Sequence, residues 1–244
     1  MFAPRLSKYV VGLGRQSEQI SIFMKTNLNL ATITFSALLL SGCGGSTPQS
    51  SNDPIPYSEA SFLEWLKRKP ERIEQFEEFE GFLRAKDVQT VVPAWQLTRT
   101  DSTIKRSCRS SEFLIPPKGK WNNLVPVLRF VRKEVMPIVG PLEAVSAYRT
   151  ESLNNCVGGA RGSRHLTFSG ADFITVKKIP NSRLFSKLCE LHRKVGRKHS
   201  MGLGAYFDPK NDDKNAIGRF HIDLTGYRTW GFSYRGASSA CRQI

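Results

Sequence analysis

The stretch SRHLTFSGAD, residues 163–172, places His165 seven residues before Asp172, in a chain with only four histidines. A hydrogen-bonded turn would account for that spacing, and so would two ligands of a metal ion. A further histidine, His221, follows 49 residues after Asp172 within RFHIDLTG. A catalytic zinc site takes three protein ligands and leaves a position for water. His165, Asp172 and His221 form such a set. Asp223 lies two residues after His221, and on a strand those two side chains share a face. From there Asp223 could orient the imidazole or act as general base. Gly170 and Ala171 carry small side chains just before Asp172 and leave room beside it.

These residues need strands to bring them together. ADFITV, with Asp172 near its start, is a β-rich run. RFHIDLTG and GLGAYF read as two strands joined by the polar loop 208–218, and EAVSAYR as another. Neighbouring strands lie about 4.8 Å apart, which would close the 49-residue gap. Helical periodicity marks residues 58–88, where Phe62, Leu63 and Leu66 precede Pro70, and Ile73, Phe76, Phe79, Phe82 and Leu83 follow it. That pattern predicts a hairpin or a kinked helix. Trp121 to Met136 is a second helix, with Leu124, Leu128, Val131 and Val135 on one face. A third begins after Pro180 with Asn181 or Ser182 as its cap. Its histidine, His192, is expected at the surface among basic residues, as is His199. VVPAWQL is expected to be extended, and NNCVGGARGS a glycine-rich loop. Helices and strands mix without βαβ alternation. The expected fold is α+β: a small, largely antiparallel sheet with packed helices, a metal site in a groove on the sheet, and an N-terminal helical segment.

The N-terminal text belongs to a different category. From Met24, a positive residue (Lys25) precedes an apolar run of about 10 residues that ends at Leu40, Ser41, Gly42, Cys43. The run is too short to span a bilayer, which takes ~20 residues, and suits a signal peptide. Its end resembles a bacterial lipobox, which implies lipid on Cys43. Residues 44–57 read as a flexible tether. The expected division is therefore 1–43 (an over-called start plus a lipoprotein signal), 44–57, a helical segment 58–88, and a domain at 89–244. The chain carries a net charge of +15, and +12 remains once residues 1–43 are set aside. A basic exported protein would meet anionic lipid or an acidic polymer, and export argues against nucleic acid. Beyond Cys43 stand Cys108, Cys156, Cys189 and Cys241. They allow two disulfides in three pairings, and with no CxxC spacing a thiolate zinc site is not expected.

With these residues in view, SAYRTESLNNCVGGARGSRHLTFSGADF resembles the core motif of the M15-type zinc D-Ala-D-Ala carboxypeptidases and their peptidoglycan endopeptidase relatives. FHIDLTGYRTW resembles the closing segment of the same group. The resemblance spans roughly residues 89–235. It implies Zn2+ held by His165, Asp172 and His221, with Arg149 and Ser163 at the substrate. Tyr206 could donate a hydrogen bond to substrate from the rim, and Trp230 is expected to pack under the site. Several branches of the group place a catalytic acid or histidine two or three residues before the last ligand. Here those positions hold Arg219 and Gly218, so strand geometry nominates Asp223 as base, with Asp208 second. The resulting expectation is zinc-dependent hydrolysis of amide bonds in peptidoglycan peptides, by a lipid-anchored protein on the periplasmic face of a bacterial membrane. The alternative is a non-catalytic, metal-containing wall-binding lipoprotein.

Overall fold

The computed structural model describes residues 57–100, 108, 111–206 and 218–243. Cys43, residues 44–56 of the tether and Asp208 lie outside the described residues. Two N-terminal helices, α1 (Glu59–Lys67) and α2 (Pro70–Ala85), form the expected hairpin. Ser58 caps α1 in a reciprocal capping box with Ser61, and Pro70 occupies the first turn of α2, where its missing N–H costs nothing. The hairpin is part of the core. Phe62 stacks on Trp95, and Phe79 packs against Trp121 and Phe168.

VVPAWQL is not extended: after Pro93 it winds into a 3-10 turn, Ala94–Thr98, which buries Trp95 and Leu97. That winding lets the Gln96 side chain accept from the Ala144 N–H. Helix α3 (Trp121–Phe130) runs through a π-turn (Val131–Val135) into α4 (Met136–Val139), so the helical path ends later than Met136. Leu124, Leu128, Val131 and Val135 are all buried as the periodicity required. Within NNCVGGARGS the first three residues complete a short helix, α5 (Glu151–Cys156), capped by the Thr150 hydroxyl. Helix α6 (Asn181–Leu191) starts from Pro180 without a side-chain cap, because Asn181 is buried within the first turn rather than ahead of it.

The sheet contains β1 (Leu142–Ser146), β2 (Gly170–Thr175), β3 (Gly202–Ala205), β4 (Phe220–Asp223) and β5 (Arg228–Trp230), in the order β1-β2-β4-β3-β5. Three pairings are antiparallel, and β5 adds a parallel edge beside β3 that the sequence reading missed. Disulfides join Cys108 to Cys156 and Cys189 to Cys241. The second fastens the C-terminal segment to α6. Among the described residues no helix is long and apolar enough to cross a membrane.

Candidate metal centre

Strand register puts the candidate ligands together. β2 and β4 are adjacent, and Asp172 sits directly opposite His221. His165 arrives from the turn that feeds β2. That turn is held open by Phe168, fully buried at φ +55° and packed against Phe79 of α2. A left-handed backbone at a bulky residue costs about 1–3 kcal/mol, and the packing of Phe168 offsets it. The N-terminal hairpin thus buttresses the turn that sets the His165–Asp172 spacing.

The three residues are buried, and one ligand atom from each lies within 4.8 Å of the others. The His165 Nδ1–H donates to the Ala147 carbonyl at 2.8 Å, which leaves the Nε2 lone pair facing Asp172 Oδ1 at 3.4 Å. His221 places Nδ1 2.7 Å from the same Oδ1. Donors around a tetrahedral zinc at 2.0–2.1 Å lie about 3.3 Å apart, so the set needs only a small opening to hold the ion. The other carboxylate oxygen of Asp172, Oδ2, accepts from Arg219 Nε at 3.1 Å, from Arg219 Nη2, and from Arg149 Nη2 at 3.5 Å. One oxygen therefore faces imidazoles and the other faces guanidinium groups. The donor set, two imidazoles and one oriented carboxylate, fits a zinc ion.

Protonation follows from the surroundings. Burial, reinforced by the Arg149 charge, pulls the His165 pKa down to about 4, so its imidazole is neutral at physiological pH and its lone pair is available. Burial alone would raise the Asp172 pKa, but Arg219 and the imidazoles outweigh it and hold the carboxyl well below its ordinary range. For His221, burial lowers the pKa and the two carboxylates, Asp172 and Asp223, more than reverse that, so the net shift is upward.

Asp223 does not fit the role of general base. It is fully buried, and its oxygens accept from the Thr225 N–H at 2.9 Å, the Thr225 hydroxyl at 2.6 Å and Arg228 Nη2 at 2.7 Å. Burial would raise its pKa, yet His221 and Thr225 lower it further, so it resists taking a proton. It is also absent from the lining of the cleft. Its Oδ2 lies 3.5 Å from His221 Nε2, which suits an orienting partner. Space for this carboxylate is made by glycine. A Cβ on Gly202 would sit 2.5 Å from Asp223 Oδ2, and one on Gly170 would sit 2.6 Å from His221 Nε2.

The three residues open onto a cleft of about 630 Å³. Ser163 and Tyr206 line it. Trp230 does not pack beneath the site but lines the cleft too, 5.5 Å from the His221 ring. The Trp230 Nε1–H donates to the Tyr206 hydroxyl at 3.2 Å. Burial and the nearby Asp172 charge push the Tyr206 pKa up, so the phenol keeps its proton. Arg149 also lines the cleft, but it is 7 % exposed, and it donates to the Thr100 carbonyl and the Ser146 hydroxyl as well as to Asp172. It is anchored from inside as much as it faces substrate.

Sequence reasoning assigned no role to Arg164, Arg219 and Arg228, which also line the cleft. Period-two alternation could have found Arg219, since it precedes His221 by two residues and shares its face. His192 was expected at the surface and is instead buried. Its Nε2–H donates to the carbonyls of Met201 (3.2 Å) and Arg228 (3.1 Å), and its ring stacks on Tyr227. His199 is half-buried against Phe130.

Comparison with known proteins agrees with this geometry. The family described as Peptidase M15 matches residues 96–206, which contain β1, β2, β3 and both His165 and Asp172. No curated protein and no solved structure matches the chain. His221 lies beyond the matched span, but β4 pairs with both β2 and β3 inside it. Over residues 96–206 the chain thus resembles the peptidase M15 family, and the site's geometry supports that assignment.

Proposed function

We propose that the protein is a zinc-dependent peptidase that hydrolyses amide bonds in peptidoglycan peptides. The observation that carries this reading is the convergence of His165, Asp172 and His221 at the floor of a cleft, in a chain with an M15 peptidase match. A zinc ion bound there would polarise the peptide carbonyl and activate water. The protein's own groups do the rest. His165 presents Nε2 because Ala147 holds Nδ1. Arg149 and Arg219 hold Asp172 with Oδ2 turned away from the imidazoles. Tyr206 keeps its O–H and can donate it to a substrate oxygen, since its oxygen already accepts from Trp230.

The cleft is lined by four arginines, and Asp172 is the only carboxylate among the described lining residues. Such a surface favours an anionic peptide, and peptidoglycan stems carry carboxylates. The signal sequence and Cys43 support export with a lipid anchor on the periplasmic face of a bacterial membrane.

The same scarcity of acids favours a second reading, a wall-binding protein that holds metal without catalysis. Incubation with purified sacculi separates the two. Release of muropeptides, lost on chelation and in His165→Ala, is the expected result. Binding without release would establish the second reading. Labelled palmitate on the chain, absent in Cys43→Ala, is expected for the anchor.

A further inference from the structure

Among the described residues, four that are not glycine hold a left-handed backbone: Asp87, Phe168, Ser200 and Tyr234. A bulky side chain there costs energy that something must offset. For Phe168 the offset is its fully buried ring. Tyr234 has φ +57° yet is 57 % exposed, so burial does not account for it. It stands among the residues that line the cleft.

The turn around Tyr234 is built to hold that posture. The Gly231 N–H donates to the Arg235 carbonyl at 3.3 Å, and the Tyr234 N–H donates to the Gly231 carbonyl at 2.9 Å. Ser238 braces the turn. Its hydroxyl accepts from the Ser233 N–H at 3.2 Å and from the Ser233 hydroxyl at 2.6 Å, and donates to the Arg235 carbonyl at 3.0 Å. A Cβ on Gly231 would lie 1.7 Å from the Ser238 carbonyl oxygen, so the turn rests directly on the C-terminal segment. Cys241 ties that segment to α6. The backbone of the tyrosine is therefore fixed while its ring is left to water.

Aromatic rings run from the candidate metal centre to this position. Trp230 lies 5.5 Å from the His221 ring, its Nε1–H bonds the Tyr206 hydroxyl, and Tyr206 meets Tyr234 edge-on at 6.5 Å. Trp230 and Tyr206 are partly buried, and Tyr234 is the most exposed of the three. The electron-rich face of such a ring attracts C–H bonds, and covering it takes apolar area out of water. A pyranose offers C–H bonds on one face and keeps its hydroxyls at the rim, in solvent. The peptide stems of peptidoglycan hang from N-acetylated amino sugars, so a stem lying in the cleft carries a sugar at one end.

We infer that Tyr234 is a specificity-determining residue that stacks on a saccharide ring of the substrate. This rests on the peptidoglycan peptidase reading above. It adds that the chain acts on stems still attached to glycan in preference to free stem peptides.

The test uses the full chain and two soluble substrates, a stem peptide and the same peptide carried on its N-acetylated disaccharide. Hydrolysis is measured with zinc present, and binding is measured by calorimetry with a chelator, which removes any dependence on the metal. The wild type is expected to favour the disaccharide form about three- to tenfold in both assays, the range of one aromatic contact. Tyr234→Asn is expected to lose that preference, with kcat/KM on the free peptide changed less than about twofold. Asparagine tolerates a left-handed backbone, so the Tm of this variant is expected not to fall. Tyr234→Phe is expected to keep the preference, since the ring and not the hydroxyl does the stacking. Phe232→Ala, exposed on the same turn but outside the cleft lining, is expected to keep it too.

Equal treatment of the two substrates by the wild type overturns the inference without any variant, and hydrolysis of both would leave the peptidase reading in place. A preference that survives in Tyr234→Asn, or that is lost equally in Phe232→Ala, also overturns it. So does a clear fall in the Tm of Tyr234→Asn, which would make the ring a packing element. If the wild type cleaves neither substrate but binds the disaccharide form through Tyr234, the peptidase reading fails and the saccharide site stands.

Discussion

Two buried histidine environments differ in what their nitrogens face. His192 gives its Nε2–H to two backbone carbonyls and stacks its ring on Tyr227, 4.4 Å away. It sits among neutral acceptors that ask only for a proton. His165 gives one nitrogen to a carbonyl and turns the other toward a carboxylate, and His221 has a carboxylate near each nitrogen. Burial is nearly the same in all three. The arrangement of unshared electron pairs, rather than burial, separates a structural histidine from a candidate ligand.

The sharpest way to break that contrast is to remove the charge that only the candidate site needs. Asp172→Ala or His221→Ala is expected to reduce hydrolysis of stem peptides by more than about a hundredfold and to abolish zinc binding at micromolar concentration, measured by competition with a chelating dye. His192→Gln should leave the zinc affinity within about threefold.

Asp223→Asn comes next in size. An orienting partner lost from a ligand typically costs about 10–100-fold in metal affinity or activity. The expected outcome is weaker zinc binding, with much of the activity restored by excess zinc. Activity that stays low at saturating zinc would instead return Asp223 to the role of base.

Removing the Cys108–Cys156 disulfide as the double serine variant should lower unfolding stability by about 2–4 kcal/mol in urea titration. It should also lower activity, since Val157, Gly159, Ala160, Gly162 and Ser163, which follow Cys156, line the cleft.

The smallest effect tests the structural histidine. Burial lowers the His192 pKa, so the folded state disfavours its charged form. Its contribution is fully present above the ordinary value of 6.5 and is lost as pH falls below that toward its folded pKa. The wild type should therefore lose more stability than His192→Gln between pH 7.5 and pH 5.5. An equal loss would mean that His192 does not resist protonation. At pH 7.5 the substitution itself should cost about 1–2 kcal/mol.

Much of this was legible in the chain, for identifiable reasons. Short apolar runs locate β1 to β4, which are buried on both faces, and period-3.6 patterns locate the long helices, which have one buried face. The ligand trio could be read because strand pairing brings distant residues into one register. The misses have several physical causes. His192 begins a π-turn, and that extra residue per turn breaks the period by which residues facing the core are read. Phe168 adopts a left-handed backbone that neither its type nor its neighbours announce. β5 has three half-buried residues, too few to show a pattern. Asp223 was read as a base from its face on β4, but strand geometry gives direction and not occupancy. Only the coordinates reveal that Thr225 and Arg228 already fill its oxygens.

The central claim is that His165, Asp172 and His221 share one divalent cation. Native mass spectrometry of the full chain after zinc loading and desalting tests it directly. The account predicts one zinc per wild-type chain, and none in each of His165→Ala, Asp172→Ala and His221→Ala with the fold retained by circular dichroism. Zinc that stays bound in any of the three, or a folded wild type that takes up none, would contradict it.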